Sequence, residues 1–477
     1  MIKPLDSSII IQESGIHFGT SGARGLVIDF KSDVCAAFSL AFIQVMQKSF
    51  NFERLAIAID NRPSSPNVAA ACIAAAKSVG IEVDYYGVIP TPALAVTSME
   101  DGVPAIMVTG SHIPFDRNGL KFYRPDGEIT KEDEISILAV SAVIPSFEVL
   151  PLPSVQRRAT ENYLVRYLSI FSANLLKGKR IGIYEHSSAG RDLYVNLFEK
   201  LGATVVTLGR SDSFVPIDTE AVSLADIEMA KNWQCDYQLD AIFSTDGDGD
   251  RPLLSDETGN YLRGDILCLL AAQYLNIEAL AVPVSCNSSI EASGAFNHVK
   301  RTKIGSPYVI AEFEHLMKSS GRVAGFEANG GFLLGSDIDV NSAKLTALPT
   351  RDAILPVLAV LAMAGKEPIS NLVKQLPHIF TASDRIKNYS REQSLLVIEK
   401  GLSEPLQLLS QLGLGDVNVV KHDVTDGLRM TLNNGEVVHI RPSGNAPELR
   451  CYVEADSENR AQELVRLILN NIENMQV

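Results

Sequence analysis

The chain has 477 residues, of which 46% are hydrophobic and 21% charged, a composition that fits several buried cores and excludes a disordered chain. Its 42 Lys and Arg residues are outnumbered by 57 Asp and Glu residues, which gives a net charge of −15. This balance argues against a general nucleic-acid coat or an anionic-membrane binder, although a local basic cluster could still bind a small anionic substrate.

Neither a secretory leader nor a membrane span is expected. The early apolar run is only Ile9 to Ile11, and the longest apolar stretch, residues 353–365, is shorter than the ~18 residues needed to cross a bilayer. The six cysteines lie far apart without a Cys-x-x-Cys pair. This spacing favours buried free thiols in a reducing cytoplasm over a zinc site or a disulfide framework.

Residues 1–150 alternate helices with strands and are predicted to form a first α/β domain. A helix is expected over residues 32–49, and Ser65 is predicted to cap a second helix that ends at Gly80. Three apolar runs predict strands at residues 55–60, 81–89 and 105–108. A stretch rich in Pro and Val, residues 143–153, is predicted to be a connector.

Two further α/β domains are predicted at residues 151–256 and 257–372. Their strands are expected at residues 180–184, 205–208, 239–243, 280–284 and 322–326, and their helices at residues 191–202, 265–274 and 307–317. Residues 373–477 differ, because strands follow one another directly at residues 417–420, 428–432, 437–440 and 449–453 before a helix that starts at Ser457. This order predicts an α+β domain.

The first of four polar loops that follow predicted strands reads VTGSHIPFDRNGLK over residues 108–121. Functional groups are expected at such strand ends, and Ser111 could be a nucleophile there. The loop is not a Gly-x-Ser-x-Gly elbow, since Thr109 and Ile113 stand at the glycine positions. A turn with a capping serine is the alternative.

The second loop reads STDGDGDR over residues 244–251. Three carboxylates at alternating positions could converge on one hard cation, which would relieve their mutual repulsion. An EF-hand is an alternative, because Glu257 falls twelfth from Asp246. However, Arg251 stands where that loop needs Gly, and a strand precedes it, so a magnesium-type site is favoured over an EF-hand or a solvated acidic turn.

Two further loops and one early segment could bind a sugar phosphate. In GFEANGG, residues 325–331, Glu327 and Asn329 share one face if the segment is extended, and together they suit sugar hydroxyls. IRPSGNAP, residues 440–447, could form a phosphate cradle, as could FGTSGARG, residues 18–25. Simple glycine-rich turns remain the alternative for all three.

Together, these loops resemble the α-D-phosphohexomutase family over nearly the whole chain. The family loop Thr-Ala-Ser-His-Asn-Pro, followed by Asn-Gly-x-Lys, is similar to residues 109–114 and 118–121. The family metal loop Asp-Gly-Asp-x-Asp-Arg is matched by residues 246–251. The family phosphate loop Arg-Pro-Ser-Gly-Thr-Glu-Pro corresponds to residues 441–447.

The resemblance implies three similar mixed α/β domains and a smaller C-terminal α+β lid domain around a central cleft. It implies an isomerase that moves a phosphoryl group between the 6- and 1-positions of a hexose, with mannose phosphate as the favoured substrate. The reaction would use a phosphoserine at Ser111, one Mg²⁺ per chain and a hexose 1,6-bisphosphate intermediate. These partners are small molecules, and no nucleic acid or membrane is expected.

The resemblance also assigns roles to individual residues. One Ser111 oxygen and the carboxylates of Asp246, Asp248 and Asp250 would hold the Mg²⁺. Catalytic support would come from four further residues, namely Arg251 at the phosphorus, Lys121 and Arg24 in proton transfer or charge stabilisation, and His112 in the loop. Substrate would be bound by Glu327 and Asn329 at the sugar hydroxyls and by Arg441, Ser443, Gly444 and Asn445 at the phosphate that is not reacting.

Several residues depart from the family pattern. Gly110 and Ile113 replace Ala and Asn beside the serine, and Asn445 with Ala446 replaces Thr-Glu in the phosphate loop. Many relatives have His where this chain has Gly331, so a histidine acid/base role is not carried over to that position.

These departures leave alternatives open. Glucose and glucosamine phosphates are rivals of mannose phosphate within the class. A phosphatase and a non-catalytic paralogue that binds sugar phosphates are the rivals outside it. The expected protein is cytoplasmic and is a monomer or a homodimer.

Overall fold

Four large sheets, each flanked by helices, make up the fold. The computed structural model describes residues 5–19, 22–443 and 447–475. The sheets have seven, four, five and five strands, and each is formed within one stretch of the chain. The predicted mixed α/β class is confirmed, and within the described ranges no helix is long and apolar enough to cross a membrane. The predicted domain boundaries remain predictions.

The first segment places a mixed sheet between helices. Its strands are β1 (Leu5–Asp6), β2 (His17–Phe18), β3 (Ala23–Leu26), β4 (Arg54–Ile59), β5 (Glu82–Val88), β6 (Ala105–Val108), β7 (Arg117–Arg124), β8 (Gly127–Glu128) and β9 (Val143–Ile144). Its helices are α1 (Ser7–Glu13), α2 (Ser32–Met46), α3 (Ser65–Ser78), α4 (Thr91–Asp101) and α5 (Lys131–Ala139), with a 3₁₀ turn at Val27–Asp29. The spatial order of the main sheet is β2-β3-β7-β6-β4-β5.

The helix predicted to begin at Ser65 is confirmed, but the predicted cap is wrong. Helix α3 starts without a side-chain cap, and the Ser65 hydroxyl donates instead to Asp60 at 2.6 Å. A hydroxyl that donates to an ionised carboxylate makes a strong hydrogen bond, and Ser65 lies one residue inside the helix rather than at its cap position. Strand β4 is continuously apolar because both faces of the sheet are covered.

The second segment has a four-stranded sheet in the order β11-β10-β12-β13. Its elements are α6 (Arg158–Leu168), β10 (Arg180–Tyr184), α7 (Arg191–Lys200), β11 (Thr204–Leu208), α8 (Leu224–Tyr237), β12 (Ala241–Thr245) and β13 (Pro252–Leu254). Strand β12 begins two residues later than the predicted strand at residues 239–243 and therefore runs directly into the acidic loop.

The third segment has a five-stranded sheet in the order β15-β14-β16-β17-β20. Its strands are β14 (Ala279–Pro283), β15 (His298–Thr302), β16 (Val323–Phe326), β17 (Phe332–Leu334), β18 (Ile338–Val340), β19 (Ala343–Leu345) and β20 (Leu348–Asp352). Its helices are α9 (Gly264–Tyr274), α10 (Ser289–Ala292), α11 (Ser306–Ile310), α12 (Phe313–Met317), α13 (Ile354–Ala364) and α14 (Ile369–Lys374). The single helix predicted over residues 307–317 is wrong, because the chain turns between α11 and α12.

The fourth segment is an antiparallel sheet in the order β21-β25-β24-β23-β22, as expected for an α+β unit. Its elements are β21 (Phe380–Lys387), α15 (Arg391–Ser403), α16 (Pro405–Gln411), β22 (Val419–Asp423), β23 (Leu428–Leu432), β24 (Val437–Pro442), β25 (Glu448–Ala455) and α17 (Glu458–Glu473). Strand β21 and helices α15 and α16 were not predicted. Strand β21 is missed because its mostly exposed, polar residues lack an apolar run.

The first three segments share one apolar core, whereas the fourth has its own. The largest buried cluster joins side chains from all three α/β segments, among them Met107, Tyr163 and Leu358. The cluster under the fourth sheet contains only residues of that segment, such as Met430 and Leu464. Burial of a shared core holds the first three segments in fixed relation to one another.

Candidate active site

Three of the four polar loops occupy the same position in three different sheets. Strands β6, β12 and β16 each pair in parallel with an earlier strand and then turn back into an antiparallel partner. The turn after β6 carries Ser111, the turn after β12 carries residues 246–250, and the turn after β16 carries Glu327. One type of hairpin, repeated in all three α/β segments, therefore delivers the polar side chains.

The Ser111 loop is held in a left-handed turn. Ser111 has φ of 53°, is fully buried, and its backbone N–H donates to the Thr109 hydroxyl at 2.8 Å. The Thr109 hydroxyl in turn donates to Asp60 at 2.7 Å. A non-glycine residue at positive φ costs free energy, so these bonds are needed to keep the serine in place.

Arg62 fixes the rest of this loop from beneath. Its guanidinium donates to the backbone carbonyl oxygens at positions 111, 113, 114 and 117, at 2.6 to 2.9 Å, and pairs with Asp60. A Cβ at Gly110 would lie 2.5 Å from Arg62 Cζ, so a larger residue there would have to displace this guanidinium. Because the bond at position 113 uses only the carbonyl, Ile113 can replace the family Asn without loss of that bond.

The three aspartates of the second loop converge as predicted. Each offers a carboxylate oxygen, and these oxygens lie within 4.8 Å of one another in the protein interior. The Ser111 hydroxyl donates to Asp246 Oδ2 at 2.6 Å. Lys121 Nζ bridges Asp248 and Asp250 at 2.6 Å each. Residues 135 positions apart in the chain are thereby brought together.

Helix α4 of the first segment also supports the acidic loop. The Thr91 hydroxyl donates to Asp248 Oδ2 at 2.6 Å, and the Thr91 N–H donates to the Asp248 carbonyl at 2.8 Å. Thr91 is the first residue of this helix, where the helix dipole favours a negative charge. The acidic loop of the second segment is thus positioned by the first segment.

The acidic trio fits a divalent cation. Oδ1 of Asp248 and Oδ1 of Asp250 are buried and have no hydrogen-bond partner in the described part of the chain. Burial and the charges of the other two aspartates raise the pKa of Asp246 well above its usual value. Unpaired carboxylate oxygens and crowded negative charge are both relieved when a hard cation binds.

An EF-hand is excluded at this loop. A β-hairpin, β12 to β13, surrounds it in place of two helices. Glu257, which would be the twelfth ligand, accepts a hydrogen bond from the Ser370 hydroxyl at 2.5 Å instead.

Four predicted residues, His112 and the cations Arg24, Lys121 and Arg251, lie close to one another beside the Ser111 loop. Arg251 Nη1 donates to His112 Nδ1 at 2.9 Å, and this nitrogen lies 3.3 Å from the Ser111 hydroxyl. Burial, Arg251 and Arg24 lower the pKa of His112 to about 2, so the imidazole is neutral. Burial and the charge of Arg251 lower the pKa of Arg24 to about 10. Although burial opposes it, Asp248 and Asp250 raise the pKa of Lys121.

Residues 325–331, called the sugar loop after their predicted role, form a tight turn, so the predicted extended segment is wrong. The Gly330 N–H donates to the Glu327 carbonyl at 2.9 Å, and Asn329 Oδ1 accepts from the Gly331 N–H at 3.0 Å. The Glu327 carboxylate accepts a bond from Arg351 Nε at 2.5 Å. Arg351 Nη1 also lies 3.8 Å from Asp250 Oδ2, which joins the sugar loop to the acidic trio.

Strands β24 and β25 of the fourth sheet flank the predicted phosphate loop. Arg441 Nε donates to Asp426 Oδ1 at 3.2 Å, and Asp426 Oδ2 accepts from the Ile304 N–H of the third segment at 3.0 Å. The Ser443 N–H donates to the Glu448 carbonyl at 2.8 Å. The predicted site residues Gly444 and Asn445 lie outside the described residues, as do residues 20 and 21 of the early glycine-rich segment.

Sequence reasoning missed four residues that organise this site, namely Asp60, Arg62, Thr91 and Arg351. The first two directly follow strand β4, so the rule that places functional groups at strand ends could have found them. Arg351 lies on strand β20 and follows Asp250 by 101 positions in the chain. Nothing in the sequence around Arg351 indicates its contact with Asp250.

Comparison with known proteins identifies the family. Models described as Phosphoglucomutase/phosphomannomutase match at domain I over residues 15–143, domain III over residues 263–380, and the C-terminal domain over residues 408–470. A phosphomannomutase from Salmonella muenchen is 58% identical over 465 residues, covering 97% of each chain. The chain belongs to the phosphoglucomutase/phosphomannomutase family.

Two other relatives of this family extend the comparison. A phosphomannomutase from Sinorhizobium fredii is 43% identical, covering 94% of this chain and 97% of its own. The crystal structure of a phosphoglucomutase/phosphomannomutase family protein from Burkholderia thailandensis superposes with a TM-score of 0.72 at 18% identity, covering 95% of this chain and 97% of its own. The latter likeness supports the fold alone.

Proposed function

We propose that the protein is a mutase that interconverts mannose 6-phosphate and mannose 1-phosphate through a phosphoserine at Ser111. The observation that carries the proposal is the Ser111 hydroxyl, 2.6 Å from Asp246 in a buried acidic trio. The two full-length relatives named phosphomannomutase, 58% and 43% identical, support mannose as the sugar.

The reaction is a double phosphoryl transfer. The bond between phosphorus and the Ser111 oxygen breaks as a bond forms from phosphorus to a sugar hydroxyl, whose proton leaves. The resulting 1,6-bisphosphate turns round, and its other phosphoryl group returns to Ser111. Positive charge near phosphorus is the main catalytic requirement of such transfers, and Arg251, Lys121 and Arg24 supply it.

The protein side chains divide these tasks by their environments. His112 is neutral and accepts a bond from Arg251, so it orients that guanidinium beside Ser111. Lys121 is clamped between two carboxylates, which favours fixed charge over proton transfer. A pKa of about 10 still leaves Arg24 charged near neutral pH, so its proposed role is to stabilise charge near the reacting hydroxyl.

The metal proposal rests on Asp246, Asp248 and Asp250, with a Ser111 oxygen as a fourth ligand. A bound Mg²⁺ would offset the negative charge of the phosphoryl group. We expect Asp248→Asn to lower turnover by about 100-fold and to raise the Mg²⁺ concentration for half-maximal rate about tenfold. The control is Asp256→Asn. Asp256 is a buried carboxylate of the same segment that accepts hydrogen bonds from the backbone N–H groups of residues 258 and 260. An unchanged Mg²⁺ titration in Asp248→Asn would place the ion elsewhere.

Substrate binding completes the proposal. Glu327 and Asn329 would bind the sugar hydroxyls, and Arg441 and Ser443, together with residues 444 and 445, would bind the phosphate that is not reacting. A carboxylate accepts hydrogen bonds from sugar hydroxyls, and an amide both accepts and donates them. The guanidinium of Arg can donate two hydrogen bonds to one phosphate. Hexose 1,6-bisphosphate would act as intermediate and as activator, because it restores the phosphoserine.

Two measurements test the function. Coupled assays on mannose, glucose and glucosamine 1-phosphates should give the highest kcat/KM with mannose, and a clear preference for another sugar would reassign the substrate. Intact-mass analysis after exposure to a hexose 1,6-bisphosphate should show one added phosphate on Ser111. Release of inorganic phosphate without exchange would indicate a phosphatase, and no phosphorylation would indicate a non-catalytic paralogue.

The cellular setting is also proposed. The six cysteines, all in the described part of the chain, are free, and five of them are buried, which supports a reducing cytoplasm. The exposed position of Cys235 corrects the expectation that all six are buried. The oligomeric state, monomer or homodimer, stays a prediction.

A further inference from the structure

One buried cation at the candidate site has no role in the function proposed above. Arg351 lies on β20 and its side chain is almost completely buried. Its Nε donates to Glu327 Oε2 at 2.5 Å, and its Nη1 lies 3.8 Å from Asp250 Oδ2. The guanidinium therefore lies between the carboxylate of the sugar loop and one carboxylate of the acidic trio.

The sugar loop is shaped to admit this side chain. A Cβ on Gly331 would lie 2.6 Å from Arg351 Cδ and 2.7 Å from Cγ, closer than side-chain carbons pack. Glycine at position 331 is therefore the counterpart of arginine at position 351. This packing gives a physical reason for the departure from the family histidine, since the arginine stem occupies the space next to the loop backbone.

Each carboxylate depends on this arginine to a different extent. Asp250 already has Lys121 at 2.6 Å, whereas the only ion pair of Glu327 in the described part of the chain is with Arg351. A buried carboxylate without a charged partner is costly and moves or takes up a proton. The orientation of Glu327 is thus set by Arg351, and the distance from Glu327 to the trio is set by both contacts.

We propose that Arg351 is a positioning residue that holds the Glu327 carboxylate at a fixed place relative to the acidic trio and so governs how tightly the sugar is bound. The proposal rests on the proposed sugar-phosphate function. It assigns Arg351 no contact with the reacting atoms. The planar guanidinium of Arg351 lies against Glu327 and Asp250 at the same time. The ammonium group of a lysine, although it has the same charge, does not reproduce both contacts.

Binding and turnover of mannose 1-phosphate test the pairing of Arg351 with Glu327. We expect Arg351→Lys and Glu327→Gln each to weaken equilibrium binding and to raise KM about tenfold. Because the two residues act as a unit, the double variant should also be weakened about tenfold rather than about 100-fold. Tyr163→Phe is the matched control, since Tyr163 bonds to the neighbouring Asp352 of the same strand at 2.6 Å, and its KM should be unchanged.

The outcomes separate the two proposals. Additive losses in the double variant would overturn the positioning role while leaving the mutase function intact. Wild-type binding of mannose 1-phosphate without turnover would overturn the mutase function, and the affinities of the variants would still decide the role of Arg351. Wild-type protein that binds none of the three sugar phosphates would overturn both.

Unfolding measurements test the packing without any substrate. Gly331→Ala should lower the melting temperature of the wild type and of Arg351→Lys by a similar amount, because lysine keeps the Cγ and Cδ carbons. In Arg351→Ser, which lacks these carbons, the same change should have little effect. An equal loss in all three backgrounds would show that position 331 excludes a Cβ for another reason and would overturn the pairing.

Discussion

The loop that carries Ser111 and the loop that carries Arg441 are held in different ways. The first is tied by Arg62 to four backbone carbonyls and lies in a part of the molecule that shares one core with two other segments. Arg441 is half-buried and, within the described residues, has one ion pair, with Asp426, on a sheet with a separate core. The proposed reacting centre is therefore preorganised, whereas the described part of the proposed phosphate-binding loop is held by a few polar contacts.

The junction between the fourth segment and the third shows the same contrast. Asn287 Nδ2 donates to the Ile379 carbonyl and to the Thr381 hydroxyl, and the Ser288 N–H donates to Glu454. A polar junction of this kind costs less to separate than a shared apolar core. The proposed reacting centre and the proposed phosphate-binding loop therefore lie in parts of the molecule that are held by different kinds of contact.

The strongest test of the preorganised side is Ser111→Ala. We expect turnover to fall by about 1,000-fold or more, since the variant has no oxygen to carry the phosphoryl group. The melting temperature should stay close to that of the wild type. Ser98→Ala, which removes a buried hydroxyl bonded within helix α4, should keep full activity. Retention of most activity by Ser111→Ala would remove the covalent mechanism.

Arg62→Met tests whether the loop depends on its buried cation. Removal of one partner leaves the Asp60 carboxylate uncompensated, so the free energy of unfolding should fall by about 3 kcal/mol, measured by urea titration. Turnover should fall as well, because Ser111 is no longer held. Arg166→Met, which removes bonds to the hydroxyl and carbonyl of Thr346, should cost less. Equal losses in the two variants would contradict a special role for Arg62.

Arg441→Gln tests the other side of the comparison. We expect KM for mannose 1-phosphate to rise about tenfold with little change in kcat or in melting temperature, since a charged hydrogen bond to phosphate is lost and no core is disturbed. Arg385→Gln, on the same sheet and paired with Glu448, is the control and should keep the wild-type KM. A large fall in kcat with unchanged KM would place Arg441 at the reacting phosphate instead.

A smaller effect is expected from pH. Burial lowers the pKa of His439, which bonds to the Asp426 carbonyl, from 6.5 to about 4. The unfolded chain therefore takes up a proton below pH 6.5 that the folded chain does not, and stability is lost as the pH falls from 6.5 towards 4. Between pH 7 and pH 5.5 this residue should account for about 1 kcal/mol.

The measurement for this pH effect is urea unfolding of the wild type and of His439→Gln at the two pH values. The glutamine amide can still donate to the Asp426 carbonyl but does not titrate. The variant should therefore lose less stability on acidification than the wild type does. An identical pH dependence would assign the effect to other groups, such as His186, whose pKa burial also lowers to about 4.

The sequence alone predicted the strands that lead into the three reactive loops, β6, β12 and β16, together with some of their neighbours, and the convergence of Ser111 with the aspartates. Apolar runs that end in polar loops are local signals, and the acidic repeat of residues 246–250 is complete within five positions. Where the local signal is weak, prediction failed, as for the polar edge strand β21 and for the turn that divides α11 from α12. The loop after β16 was predicted to be extended, whereas it is a turn. The hydrogen bonds that the N–H groups of Gly330 and Gly331 donate within this turn cannot be read from the residue pattern.

The sequence by itself thus determined which loops carry reactive groups, because residue types and strand ends can both be read from short stretches of the chain. Only the tertiary structure decided which buried cation neutralises which carboxylate. Arg62 with Asp60 and Arg351 with Glu327 are single residues whose partners depend on where strands and turns meet in space. Coulomb attraction acts across distance in the folded chain rather than along the sequence, so these pairs become visible only when the sheets are assembled.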